Sequence, residues 1–195
     1  MRKYFTKMIS IFLILCSFTM LTVYGAEVSI SRKYDYQEKS NWCWAANSRN
    51  LVTGERSTNN KPVITQSEAV KYVKGSIVNE QGFLNDVVDA AEYISEGDYG
   101  YQLVISPFSF TNLYNLVNSF NSPAYMSIQD KKNNYGHSIL MYGANNSNKD
   151  LIIFNPANSN KGGDRRVNYD DLVDGTWDLY KGYVYDSTVY CTAHY

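Results

Sequence analysis

Two tryptophans enclose one cysteine at Trp42-Cys43-Trp44, and Ala45 and Ala46 follow at once. This pattern restricts the local fold severely. Adjacent indoles carry too much apolar surface to leave in water, so both must pack into a core. The two alanines favour a helix and let it approach its neighbours closely. Ser40 and Asn41 stand just ahead, with side-chain oxygens that can accept from the free N–H groups of a helix start. The stretch predicts a buried helix from about Trp42 to Thr53, stopped at Gly54. Cys43 then lies at its N-terminus, where the helix dipole and unpaired N–H groups favour a thiolate.

The first 26 residues read differently from the rest. Arg2, Lys3 and Lys7 precede an apolar run from Ile9 to Val23, and Gly25 and Ala26 offer small residues for cleavage. That is the pattern of a secretory signal peptide, and it implies a secreted, extracellular product. Cys16 follows Leu15 and is expected to leave with the signal. The full chain has 18 Lys and Arg against 19 Asp and Glu; without the three leader cations it has 15 against 19, a formal charge of −4. A mildly acidic chain lacks the footprint of a nucleic-acid or anionic-membrane binder. No later run is long enough to span a bilayer. Residues 27–195 are expected to form one domain.

The first half of that domain has helical signals. Residues 27–36 alternate as a first strand. Thr65-x-x-Glu68 is a capping box that opens a helix ended by Gly75. Phe83, Leu84, Val87, Val88, Ala91 and Ile94 recur at helical spacing. From Tyr101 onward strands dominate, at about 101–105, 124–128, 137–142, 150–154 and 179–185, with one helix begun at Ser106-Pro107. The expected fold class is α+β: a helical lobe over about 37–100 packed against an antiparallel, barrel-like β lobe over about 101–195. A cleft between the lobes is the natural place for a site.

Thiol chemistry needs a base near the sulfur and donors for a developing oxyanion. The chain has two histidines, and His137 is the internal one, in Gly136-His137-Ser138 at the start of an apolar strand. Asn155 follows the next predicted strand, 18 residues on, where it can accept from the imidazole and fix its tautomer. Gln37, six residues before Cys43, can offer its NH2 to the oxyanion beside the Cys43 N–H.

The order Gln37, Cys43, His137, Asn155 resembles that of papain-like cysteine peptidases. Gln-x5-Cys and Trp-Cys-Trp-Ala-Ala resemble the compact bacterial branch, which includes staphopains and secreted effector proteases of plant pathogens. The resemblance spans about residues 30–185. It implies a papain-like fold and an endopeptidase that cuts through a Cys43-His137-Asn155 triad and an acyl-enzyme, with Gln37 in the oxyanion hole. It implies a protein or peptide substrate, a protein inhibitor as a further partner, no cofactor and a monomer. The cysteine-to-histidine separation of 94 residues is shorter than the roughly 130–150 of papain and cathepsins, as suits a trimmed domain. Pro156 follows the asparagine where papain has serine and tryptophan, and Trp177 is the candidate to shield the histidine in their place.

Two other readings stay open. In an oxidising compartment Cys43 and Cys191 could pair as a disulfide in a non-enzymatic binding domain. The same triad could also serve an amidase, acyltransferase or transglutaminase. A metal site is not expected: Cys191-x-x-His194 has ligand spacing, but no second pair accompanies it.

Overall fold

The computed structural model describes residues 26–56 and 62–194. The signal segment and Cys16 lie outside them, Ala26 aside. Strand β1 (Glu27–Ser29) leads into an irregular stretch and then helix α1 (Cys43–Glu55). Helices α2 (Gln66–Lys74) and α3 (Leu84–Ile94) complete the helical part. Strand β2 (Tyr99–Val104) and helix α4 (Phe110–Phe120) precede a run of strands: β3 (Ala124–Asp130), β4 (Tyr135–Asn145), β5 (Asp150–Asn155) and β6 (Gly163–Asn168). Short helix α5 (Tyr169–Asp174), a 3-10 turn at Asp178–Tyr180 and strand β7 (Tyr183–His194) follow.

The strands form one sheet in the order β2-β7-β3-β4-β5-β6, with β1 beside β4, and every pair is antiparallel. Both faces of this sheet are covered, which explains the continuous apolar run of β4. Successive side chains on a strand point to opposite faces. Met126, Ile139, Met141 and Ile153 face one core with α4 and α5. Tyr125, Leu140 and Phe154 face the other, with α1, α2 and α3.

Helix α1 is the buried centre of the helical part. Trp42 and Trp44 are 0% and 2% exposed, and their indole N–H groups donate to the carbonyls of Val78 (2.8 Å) and Glu80 (3.1 Å). A Cβ at Gly82 would fall 2.4 Å from the Trp44 indole, so only glycine lets that loop lie on the ring. The capping box at Thr65 and Glu68 forms, and Gly75 ends α2 at a φ of 76°.

Several local expectations shift. The first strand stops at Ser29, although the Ile30 N–H still reaches the Tyr142 carbonyl at 2.9 Å. Ser40 and Asn41 do not cap α1; Ser40 Oγ and the Asn41 amide bind Asn79 instead and tie the helix start to the loop beyond α2. Gly54 does not end the helix, which runs on to Glu55. Its bare Cα is needed for packing, since a Cβ there would sit 2.4 Å from the Pro123 ring. Helix α4 starts at Phe110, capped by Ser109 Oγ, rather than at Ser106-Pro107. Residues 179–182 precede the last strand, and β6 is an additional strand.

Candidate active site

Cys43 is the first residue of α1, so the N–H groups of its first turn have no carbonyl partner inside the helix. His137 lies on β4 and Asn155 is the last residue of β5. The register pairs Leu140 with Phe154, which sets His137 and Asn155 diagonally across one face of the ladder. The structure brings the three together. His137 Nε2 and Asn155 Oδ1 are 2.9 Å apart, and the His137 ring shares a hydrogen bond with the Cys43 thiol.

The tautomer follows from the asparagine. Asn155 is fully buried, and its Nδ2 donates to the Lys161 carbonyl (2.9 Å) and to Tyr180 Oη (3.0 Å). A backbone carbonyl can only accept, so it fixes which end of the amide faces away from the histidine. Oδ1 therefore faces the ring, Nε2 must carry the hydrogen, and Nδ1 is left for the thiol. Burial pushes the Cys43 thiol up, but the His137 hydrogen bond and charge, with hydrogen bonds from Ser138, hold it below the usual thiol range. Burial pushes His137 down, and its contacts with Cys43 and Asn155 more than offset this and hold it above the usual imidazole range. Opposite shifts of that kind favour a thiolate–imidazolium pair.

The spacing of the pair is set from behind. Asn47 lies one turn beyond Cys43 on the same helix face, and its Nδ2 donates to Ser138 Oγ at 3.0 Å. Ser138 is the neighbour of His137. Asn50 Nδ2 donates to Asn47 Oδ1 (3.3 Å) and to the Asp35 carbonyl (2.9 Å). Asn47, Asn50 and Ser138 are all buried. Breaking a buried bond of this type leaves an unpaired polar group, at about 1–3 kcal/mol.

A family model described as papain-like cysteine protease AvrRpt2 matches residues 25–168. The chain belongs to this family. It is a papain-like cysteine protease, a hydrolase of protein substrates. No curated protein matches it by sequence. Among solved structures, xylellain, a cysteine protease from Xylella fastidiosa, superposes with a TM-score of 0.60 at 11% identity, over 89% of this chain and 88% of that one. A structure from work on the mite allergens Blo t 1 and Der p 1 gives 0.52 at 13% identity, over 89% and 74%. Both likenesses are of fold, and both place this AvrRpt2-family protease in the papain-like α+β class.

In this protease Gln37 is held through its side chain by the backbone just ahead of α1. Its backbone N–H donates to the Pro156 carbonyl at 2.8 Å, clipping it to the segment after Asn155. Its Nε2 donates to the carbonyls of Lys39 (2.9 Å) and Ser40 (2.8 Å), while Oε1 is buried without a partner among the described residues. The ring that covers the histidine is Tyr180, not Trp177. Tyr180 stacks on His137 with centroids 5.0 Å apart and planes 22° from parallel. Trp177 packs against Tyr180 at 5.3 Å, and Lys161 Nζ sits 5.1 Å from the centre of the Tyr180 ring. Tyr180 is one of 18 tyrosines, and its only signal was its place three residues beyond a tryptophan.

Cys43 and His137 open onto a cleft of about 320 Å³. Gln81, Gly82 and Phe83 form one rim; Ser127, Gln129 and Asp186 line the other. Asp186 is the one carboxylate on this lining, is half-buried, and has no hydrogen-bond or ion-pair partner among the described residues. Both Cys43 and Cys191 are free thiols, and Cys191 lines a different cavity.

Proposed function

We propose that the chain is a secreted thiol endopeptidase whose reaction runs through Cys43, His137 and Asn155. The observation that carries this reading is the thiol–imidazole pair at a helix start, with its two partners shifted in opposite directions. The leader-like first 26 residues support secretion.

The Cys43 thiolate attacks the scissile carbonyl carbon. The new C–S bond forms as the carbonyl electrons move to oxygen. The oxyanion lies near the Cys43 N–H, which is free of helix partners. Gln37 joins it once one of its amide hydrogens is released from Lys39 or Ser40. Collapse breaks the C–N bond, and the His137 imidazolium gives its Nδ1 proton to the leaving amine. Neutral His137 then takes a proton from water, which attacks the thioester and frees the acid and the thiol. Asn155 holds the ring by its Nε2–H throughout, and Tyr180 keeps water from that bond.

Incubation of the protein and its Cys43→Ala variant with denatured casein tests this. The parent is expected to release peptides and to be trapped, one label per chain, by an electrophilic peptide epoxide. The variant is expected to do neither while melting as the parent does. Retained hydrolysis by a folded Cys43→Ala protein would falsify the assignment.

A further inference from the structure

The strand-end motif Cys191-x-x-His194 has no part in the cleft chemistry, and the fold gives it an unexpected third member. Residues three apart on a regular strand point to opposite faces. Here β2 pairs Gly100 with Ala193 but Tyr101 with Cys191, so Thr192 is an extra, bulged residue. The bulge reverses the alternation, and Cys191 and His194 project from the same side of β7. Glu55, the last residue of α1, comes up beneath them.

Cys191 Sγ and His194 Nε2 are 3.9 Å apart, and His194 Nε2 and Glu55 Oε2 are 3.8 Å apart. All three ligand atoms lie within 4.8 Å of one another. A tetrahedral zinc with bonds of about 2.3 Å to sulfur and 2.0–2.1 Å to nitrogen or oxygen separates its ligand atoms by roughly 3.3–3.6 Å. Cys191 Sγ and Glu55 Oε2, within 4.8 Å of one another, have at most about 1.3 Å to close, and each separation to His194 needs only a few tenths of an ångström. The His194 side chain, 61% exposed, is free to supply that movement.

The surroundings suit a cation as well. The Glu55 side chain is only 1% exposed, and its other oxygen accepts from Ser122 Oγ at 2.5 Å, which orients the carboxylate as an outer-shell partner would. Cys191 and His194 line a cavity of about 330 Å³, bounded also by Leu116, Phe120 and Tyr190, with room for a water at the fourth position.

We propose that Glu55 Oε2, Cys191 Sγ and His194 Nε2 form a site for a zinc-class divalent cation that clamps the end of α1 to the end of β7. One thiolate, one imidazole and one carboxylate fit zinc or cobalt and disfavour calcium and magnesium, which want oxygen alone. Binding forms the metal–sulfur bond and releases the Cys191 thiol proton to solvent. The site stands apart from the peptidase cleft and does not rest on the function proposed for it.

Cobalt(II) is the probe, since it takes zinc geometries and reports thiolate ligation by a near-ultraviolet charge-transfer band. The Cys43→Ala protein is used, because Cys43 and His137 could themselves hold a metal. One cobalt per chain, with that band and with displacement by zinc, is expected. Cys191→Ser is expected to abolish the band, and Glu55→Gln and His194→Ala each to weaken cobalt binding about 10–100-fold or more. Zinc is expected to raise the melting temperature of the Cys43→Ala protein but not of its Cys191→Ser derivative, both compared with the same proteins in chelator. No cobalt uptake, uptake without the band, or a band that survives Cys191→Ser overturns the proposal.

Discussion

Asn155→Ala separates the positioning of the base from the chemistry of the thiol. The asparagine makes four hydrogen bonds: Oδ1 accepts from His137 Nε2 (2.9 Å) and from the Ala157 N–H (3.1 Å), and Nδ2 donates to Lys161 and Tyr180. At about 1 kcal/mol net for each, truncation costs about 4 kcal/mol of stability, within what a domain of this size tolerates. The bond to His137 is charge-assisted when the ring is protonated, so its loss is expected to cost about 1.5–3 kcal/mol of transition-state stabilisation. That corresponds to a fall of roughly 10- to 150-fold in kcat/KM. The pH dependence gives the sharper readout. The ion pair forms as pH rises through the lowered Cys43 value and is lost as pH rises further through the raised His137 value. Asn155 is one of the groups that raises His137, so its removal brings the falling limb to lower pH. A less stable imidazolium also supports the thiolate less, so the rising limb moves to higher pH. The window therefore narrows from both sides, and the two limbs belong to the coupled pair rather than to either residue. Alkylation of Cys43 by iodoacetamide across pH measures this without any substrate, alongside kcat/KM on a fluorogenic peptide. A folded Asn155→Ala protein with an unchanged alkylation window would refute the reasoning.

Two further substitutions probe the surroundings of the pair. Tyr180→Phe keeps the ring stacked on His137 and loses one bond to Asn155, so activity is expected to fall by less than about 5-fold, whereas Tyr180→Ala uncovers the Asn155–His137 bond and is expected to lose about 10-fold or more in kcat; equal effects of the two in the same peptide assay would remove the shielding role. Asp186→Asn deletes the unpaired carboxylate of the cleft lining, so kcat/KM is expected to drop about 10-fold for peptides with a lysine or arginine reaching that wall and to hold for neutral ones, as a competition between matched peptide pairs would measure.

Local chemistry made much of the fold legible, and distance hid the rest. The Thr65 capping box and the apolar spacing of α3 are decided within a few residues, and they formed as read. Gly54 misled because a glycine that ends a helix and a glycine that admits a proline ring look alike until Pro123 is in place. Strand β6 gave no apolar alternation because it is the sheet's edge: of Gly163-Asp164-Arg165-Arg166-Val167-Asn168 only Val167 is a buried hydrophobic, and charged side chains guard the open ladder. Cys43 and His137 were visible because cysteine and histidine are scarce in this chain, and Asn155, one of many asparagines, only by its place after the next strand. Tyr180 was not, being one aromatic among many, and Glu55 was not, because its neighbours arrive from the far end of the chain.

The Asn47–Ser138 bond has a bearing on how such a protease can diversify. It ties the helix carrying the thiol to the strand carrying the imidazole at a point one turn and one residue behind them, away from the cleft. Reactivity is thus set in the interior, while Gln81, Phe83, Gln129 and Asp186 line the rims of the cleft that a substrate would meet. A lineage could redraw those rims freely, trading one protein substrate for another, without retuning the chemistry that does the cutting.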